Sequence, residues 1–271
     1  MEKSNATYYE EFRKNLAGKI VEKLDWRDLA TFVPNKKLPI YNWFYYKEGF
    51  SKELVEKLIG MFGLGKGSAV LDPFCGVGTT LLACRENGIN AFGCDVLPAA
   101  VFAARVKTAD YDTEKLRASS RLVFNKPFAK LRTDFPGLIR KSFSKYALQD
   151  IAFVRRQILQ MDNEVREFFT LALISAAMKC SYSYKDGSVI KFRKRGVPPL
   201  RKMMRRIVGK MIKDIEKSEK TGAAVNIELD DARRLSIEDE SIDSVITSPP
   251  YLNQIDYTHV YGVEEFFIHG E

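Results

Sequence analysis

Two histidines, His259 and His269, are all that this 271-residue chain carries, and its four cysteines contain no CxxC pair. That is too little for a structural zinc site, which needs four convergent nitrogen or sulfur ligands, so no metal is expected. Nor is there a run of 18 apolar residues, so no membrane-spanning helix is expected. No signal peptide is expected either. With Cys75, Cys84, Cys94 and Cys180 unpaired by spacing, the expectation is a reduced, cytoplasmic protein without a membrane partner. No internal repeat is visible, which excludes solenoid and propeller architectures.

What is present is an ordinary globular composition with an uneven charge. Hydrophobic residues make up 45%, enough for a sizeable core, and the formal net charge is +8. Residues 121–220 hold 24 Lys and Arg against 9 Asp and Glu, so the excess lies inside one stretch. Such a block points to a polyanionic partner or to a solvated basic face.

The segment from Ala69 to Thr80 reads Ala-Val-Leu-Asp-Pro-Phe-Cys-Gly-Val-Gly-Thr-Thr. It predicts a short apolar strand, a turn through Gly76 and Gly78, and a helix over 79–87 capped by Thr79 or Thr80. Asp72 then ends the strand, where open parallel sheets place ligands. Glycines at such a turn let backbone approach a ligand closely. No Lys follows the turn, so a nucleotide triphosphate has no clamp. The spacing is not GxGxxG, and Phe74 stands where a pyrophosphate site prefers glycine. An adenosyl ligand without phosphate fits better. A second strand, Asn90–Cys94, delivers Asp95 about twenty residues after the glycine turn, the place of an acid that holds ribose hydroxyls. Pro98 opens the next helix, to about Lys107.

Upstream, residues 6–30 predict one amphipathic helix, and residues 38–46 are dense in aromatics, suited to core packing or to stacking on a substrate. Ser51 is a helix cap, with Leu54, Val55, Leu58 and Ile59 on the apolar face. Downstream, 113–222 predicts a basic, mainly helical insertion. Residues 142–160 read as a helix, residues 164–178 as a buried helix, residues 181–195 as a basic loop, and residues 200–212 as a basic amphipathic helix. Lys191, Arg193, Lys194, Arg195, Arg201 and Arg205 are candidates for a phosphate backbone, or form a solvated face.

A strand at 224–229 leads into Asp230 and Asp231, and a strand at 241–247 delivers Ser248-Pro-Pro-Tyr251. Two prolines after a strand form a rigid corner without donors. The Ser248 side chain and the Pro249 carbonyl are left as acceptors for an exocyclic amino group, and Tyr251 can stack on the base that carries it. Asp231 is the candidate acceptor for the adenine amino group, with Asp230 as a turn cap.

Taken together, these motifs resemble the S-adenosylmethionine-dependent amino-methyltransferases of DNA, the N4-cytosine and N6-adenine family. Residues 72–80 look like its cofactor motif, Asp95 like the acid after its second strand, Asp231 like the acid of its third motif, and residues 247–251 like its catalytic motif. Residues 49–55 resemble the helix start that lines the methionine end. The resemblance implies a cofactor site of Phe50, Ser51, Asp72, Pro73, Phe74, Gly76, Gly78, Thr79, Thr80, Asp95, Val96, Asp231 and Ala232. It implies a catalytic corner of Ser248, Pro249, Pro250 and Tyr251. The expected activity is site-specific DNA methylation of the restriction-modification type, with N4 of cytosine preferred over N6 of adenine because Ser stands at 248. An RNA guanine-N2 methyltransferase and a non-catalytic nucleic-acid-binding subunit are the competing readings.

The family's fold implies an α/β Rossmann-like sheet. Only strands 1–4 (order 3-2-1-4) have sequence here. Strands 5–7 are then expected from a second polypeptide, from a missing C-terminal half, or replaced by homodimerisation through the sheet edge. The expected division is a helical lead-in over 1–67, a partial catalytic domain over 68–112 and 223–271, and the basic insertion over 113–222.

Overall fold

A computed structural model describes residues 23–187, 189–250 and 260–269, together with Glu10 and Lys14. Most of the helix expected over 6–30 lies outside the described residues, and its last part, Leu24–Ala30, is a 3-10 helix with no buried residue. Tyr251, Tyr257 and His259 also lie outside them.

The central sheet has the strand order that the family resemblance implies. Strands β1 (Ala69–Asp72), β2 (Asn90–Asp95), β5 (Val225–Leu229) and β6 (Ser244–Val245) pair in the order β5-β2-β1-β6, and all three pairings are parallel. This is the 3-2-1-4 order. The last strand is shorter than expected: only Ser244 and Val245 pair with β1, against the span 241–247 read from the sequence. The Asp243 amide bonds the Ala69 carbonyl at 2.9 Å and the Ile246 amide the Leu71 carbonyl at 3.0 Å, which closes this short ladder at either end.

Helices α1 (Lys52–Met61) and α2 (Thr79–Glu86) cover one face of the sheet. Val55, Ile59, Leu81 and Cys84 pack there with Val70, Ala91 and Ile246. Ser51 caps α1 through its side chain, accepting from the Leu54 amide at 3.2 Å. The other face is faced by the loop at 235–241, and Leu71, Phe92 and Asn226 border a cleft of about 350 Å³ there. Helix α3 (Pro98–Thr108) packs along β2 and β5.

The insertion builds the larger core. It runs through α4 (Thr113–Asn125), α5 (Gly137–Ser142), α6 (Lys145–Ile158), α7 (Asn163–Lys179) and α8 (Leu200–Glu216). The single helix read over 142–160 is two elements: Phe143 is extended, and Ser144 starts a new helix by capping the Ala147 amide. The loop read at 181–195 contains an antiparallel hairpin, β3 (Ser183–Asp186) with β4 (Val189–Phe192). Asp186 pairs with Val189 at its end, and Gly187, at φ +60°, enters the turn. Helix α9 (Gly262–His269) returns to this core, with Val263, Phe266 and Phe267 buried. Tyr41, Trp43 and Phe44 of the aromatic segment are buried in it as well.

Among the described residues no helix is long and apolar enough to cross a membrane, and no cluster of three or more His, Cys, Asp or Glu could hold a metal. All four cysteines are free and buried.

Candidate functional site

The C-terminal ends of β1, β2, β5 and β6 meet at one cavity of about 330 Å³. Its wall is made by four short runs: Pro73–Val77 with Thr79 after β1, Asp95–Leu97 after β2, Asp230–Ala232 after β5, and Ser248–Pro250 after β6. Tyr46, Glu48, Gly49 and Phe50 close the remaining side. The parallel topology is what brings these distant segments together, because every strand delivers its following loop to the same edge.

The glycine turn is built for close approach. Gly76 has φ +50° and Gly78 φ +74°, both in the left-handed region that a side chain disfavours. A Cβ on Gly76 would stand 3.0 Å from the Tyr46 ring, and one on Gly78 would stand 2.9 Å from the Ala104 Cβ. Gly78, not Thr79 or Thr80, is the cap residue of α2, and no side chain caps that helix. The threonine hydroxyls are therefore not what starts it. Thr80 is fully buried and donates to the Ile246 carbonyl at 3.4 Å, while Thr79 lines the cavity.

Asp95 anchors the turn as well as facing the cavity. Its Oδ2 accepts from the Gly76 amide at 2.8 Å and its Oδ1 from the Leu97 amide at 2.9 Å. Burial raises its carboxyl above the ordinary value, with the amides of Leu97, Gly76 and Val96 pulling it back. Asp72 lies deeper, at 1% exposure. Its Oδ1 accepts from the Thr247 hydroxyl at 2.6 Å and the Phe74 amide at 3.2 Å. Burial pushes its carboxyl up to about 6 despite those bonds. Asp72 thus joins the glycine turn to the Ser248 corner from beneath rather than lining the cavity.

Of the residues expected at the cofactor, Phe50, Pro73, Phe74, Gly76, Thr79, Asp95, Val96, Asp231 and Ala232 line this cavity, and so do Ser248, Pro249 and Pro250. Ser51, Asp72, Gly78 and Thr80 stand behind it: Ser51, Asp72 and Thr80 are buried, and Gly78 shapes the turn. Phe74 is 36% exposed at the cavity. The Asp231 carboxylate is engaged by Arg233, with both oxygens bonded to the guanidinium, which holds it down to about 2. Asp230 accepts from the Asp231 amide, as a turn cap does.

Sequence reasoning missed Glu48, Leu97 and Lys107, and read Tyr46 only as part of the aromatic segment. Tyr46 stacks on Tyr261 at 5.2 Å between ring centroids, and Glu48 accepts from the Tyr261 hydroxyl at 2.6 Å. Lys107 is fully buried in α3, and its Nζ donates to the Val77 carbonyl at 2.6 Å, inside the glycine turn. An apolar helix position occupied by lysine was the available signal.

Four of the six basic residues read as a nucleic-acid surface have internal partners. Arg195 donates to the Ser181 carbonyl, Arg201 to the carbonyls of Phe124 and Lys126, and Arg205 to that of Phe124. Arg201 also sits over the Phe153 ring and Arg205 over the Phe124 ring. Lys191 pairs with Asp186 across the hairpin at 2.5 Å. Arg193 and Lys194 follow β4 and are exposed.

A family model described as DNA methylase (N6_N4_Mtase) matches residues 4–105. The chain is 30% identical to the Type II methyltransferase M.BsoBI of Geobacillus stearothermophilus, over 88% of this chain and 54% of that protein. It is 30% identical to the Type II methyltransferase M.AvaI of Nostoc sp., over 88% of this chain and 56% of that protein. The Type II methyltransferase M.MjaII of Methanocaldococcus jannaschii is 34% identical over 59% of this chain and 28% of its own length. The chain therefore spans about half the length of the first two.

Proposed function

We propose, from the premise that this chain is a relative of the DNA amino-methyltransferases, that it transfers a methyl group from S-adenosylmethionine to an exocyclic amino group of a DNA base. The observation that carries the reading is one cavity wall shared by the glycine turn, Asp95 and the Ser248–Pro250 corner. N4 of cytosine is the preferred acceptor over N6 of adenine, on the serine at 248.

The residues suit an adenosyl cofactor. Gly76 packs against Tyr46 on one side and lines the cavity with its backbone, where a ligand lies against the turn. Asp95 keeps carboxylate lone pairs for a ribose hydroxyl pair beyond its two amide bonds. Asp231 and Ala232 face the adenine end, Phe50 the methionine end, and Phe74 a planar ring. When bound, the cofactor supplies an electrophilic methyl on a sulfonium. An amine conjugated to a base is a weak nucleophile, so alignment matters most. The Ser248 hydroxyl and the Pro249 carbonyl accept hydrogen bonds from that amine and direct its lone pair. Tyr251 stacks on the base. The corner is exposed, so water takes the proton that the amine loses. A paired base must leave the duplex stack to reach this corner.

The basic hairpin and the segment after it, through Lys191, Arg193 and Lys194, contact the phosphate backbone; Arg195, Arg201 and Arg205 brace that surface through their carbonyl bonds. The β6 edge carries Val245 at 53% exposure, and a further sheet segment, from a longer chain or a second polypeptide, completes the enzyme there. The test is transfer of labelled methyl to duplex DNA, alone and with a segment completing the sheet. Methylated cytosine or adenine in the product supports the reading. No transfer in either state, or transfer to RNA and never to DNA, overturns it.

A further inference from the structure

A second cavity, of about 470 Å³, lies on the other side of the aromatic segment from the cofactor site. Residues 42–45 and Lys47 line it, whereas Tyr46 and residues 48–50 line the first cavity. The hairpin contributes Ser183, Tyr184, Lys185 and Ile190, and α9 contributes Val263 and Glu264. Its walls are mainly apolar, and Tyr45 and Tyr184 are half exposed.

Its polar end holds an unanswered group. Glu264 is 3% exposed, and its Oε1 pairs with Lys185 Nζ at 2.7 Å. Its Oε2 is buried with no hydrogen-bond partner among the described residues. Leaving such an oxygen unpaired is costly, and burial raises the Glu264 carboxyl even with Lys185 beside it. Lys185 has spent one proton on Glu264, and its ammonium lies 3.0 Å from the centroid of the Tyr261 ring. Its remaining N–H is available to an acceptor. The pair therefore offers one acceptor beside one donor, among apolar and aromatic walls. Lys47 and Lys179, both exposed, border the cavity.

We propose that this cavity takes an extrahelical nucleobase by its Watson–Crick edge, separately from the base at the Ser248 corner. Every natural base presents there an N–H donor, for Glu264 Oε2, next to an acceptor, for Lys185. Tyr184 and Tyr45 supply stacking surface, and Lys47 and Lys179 meet the phosphates on either side of the extruded nucleotide. The site is coupled to the cofactor wall through Tyr261, which touches Lys185, stacks on Tyr46 and bonds Glu48. The inference rests on the DNA reading above.

The probe is a DNA duplex with one bulged thymine, compared with the fully paired duplex by fluorescence anisotropy in saturating S-adenosylhomocysteine. The bulged duplex is expected to bind about tenfold tighter. Glu264→Gln replaces the acceptor with a donor and abolishes the preference, and so does Tyr184→Ala, a substitution at a half-exposed position that spares the core. Both keep the affinity for the paired duplex. A bulged N3-methylthymine, which has no N–H to give, shows no preference, while Ser248→Ala leaves it intact. An equal preference in the parent and the two cavity variants, thymine and N3-methylthymine binding alike, or dependence on Ser248 alone overturns the inference. If paired DNA is bound but no Glu264-dependent preference exists, only this inference fails. If no DNA is bound at all, the functional reading fails with it.

Discussion

Thr247 donates its hydroxyl proton to Asp72 Oδ1 across 2.6 Å, which ties the turn after β6 to the end of β1. The two residues are 175 positions apart, and the bond holds the Ser248 corner against the glycine turn. It also sets a pH dependence. The Asp72 carboxyl titrates near 6 in the fold, against an ordinary 3.8. Between those values the folded chain keeps a proton that the unfolded chain has released. The contribution is fully present below about 3.8 and is lost as pH rises through 6, a change of about 3 kcal/mol. Asn accepts the same bonds and does not ionise. Asp72→Asn is therefore expected to gain stability relative to the parent between pH 4.5 and 8. Asp72→Ala, which strands the Thr247 hydroxyl and the Phe74 amide, is expected to lose about 1–3 kcal/mol. Urea unfolding at the two pH values measures both.

Lys107 makes the opposite case. Burial lowers its ammonium to about 7 from 10.5. Between those values the folded lysine is neutral while the unfolded one is charged, so stability rises with pH across that window, by up to about 1.4 kcal/mol per pH unit. The neutral amine still donates to the Val77 carbonyl. Lys107→Met is expected to remove this slope and to weaken cofactor binding through a loosened glycine turn. The stability difference between parent and variant, followed from pH 7 to 10, tests the first. A titration with S-adenosylhomocysteine tests the second.

The parallel sheet and its order were legible only through the family resemblance, which the motifs at Asp72, Asp95, Asp231 and Ser248 carry. Asp95, Asp231 and Ser248 line the cavity, while Asp72 is buried beneath it. The helix over 164–178 was legible from its apolar run. The fates of Arg195, Arg201 and Arg205 were not. Their acceptors are carbonyls at Ser181, Phe124 and Lys126, and for Arg201 and Arg205 these lie more than seventy positions away, where no spacing rule reaches. The hairpin was hidden because Ser183–Asp186 and Val189–Phe192 mix charge and aromatics without clean alternation. For Lys107 the sequence offered only a lysine at an apolar helix position; its bond to the Val77 carbonyl, 30 positions away, was not legible.

Gly78 has both a left-handed φ and no space for a methyl group against Ala104. Gly78→Ala is expected to cost about 1–3 kcal/mol and to displace the start of α2. Gly137→Ala, at an open position with nothing near a Cβ, is the control and is expected to leave stability within about 0.5 kcal/mol of the parent. Thermal unfolding separates the two.

In the proposed reaction Ser248 accepts a hydrogen bond from the base amine, and the cofactor is held by other residues of the same cavity wall. Ser248→Ala is expected to reduce the rate of methyl transfer by roughly 10–100-fold, since one hydrogen bond to the developing charge is worth about 1.5–3 kcal/mol. The affinity for S-adenosylhomocysteine is expected to stay unchanged. Single-turnover rates and calorimetry together make the distinction.

The central claim is that the glycine turn and Asp95 hold an adenosyl cofactor. Calorimetric titration of the chain with S-adenosylmethionine, beside Asp95→Ala, tests it most directly. One molecule bound per chain, with affinity falling at least tenfold in a variant that remains folded, is the predicted result. No binding to the folded parent, or equal binding to parent and variant, would contradict the account.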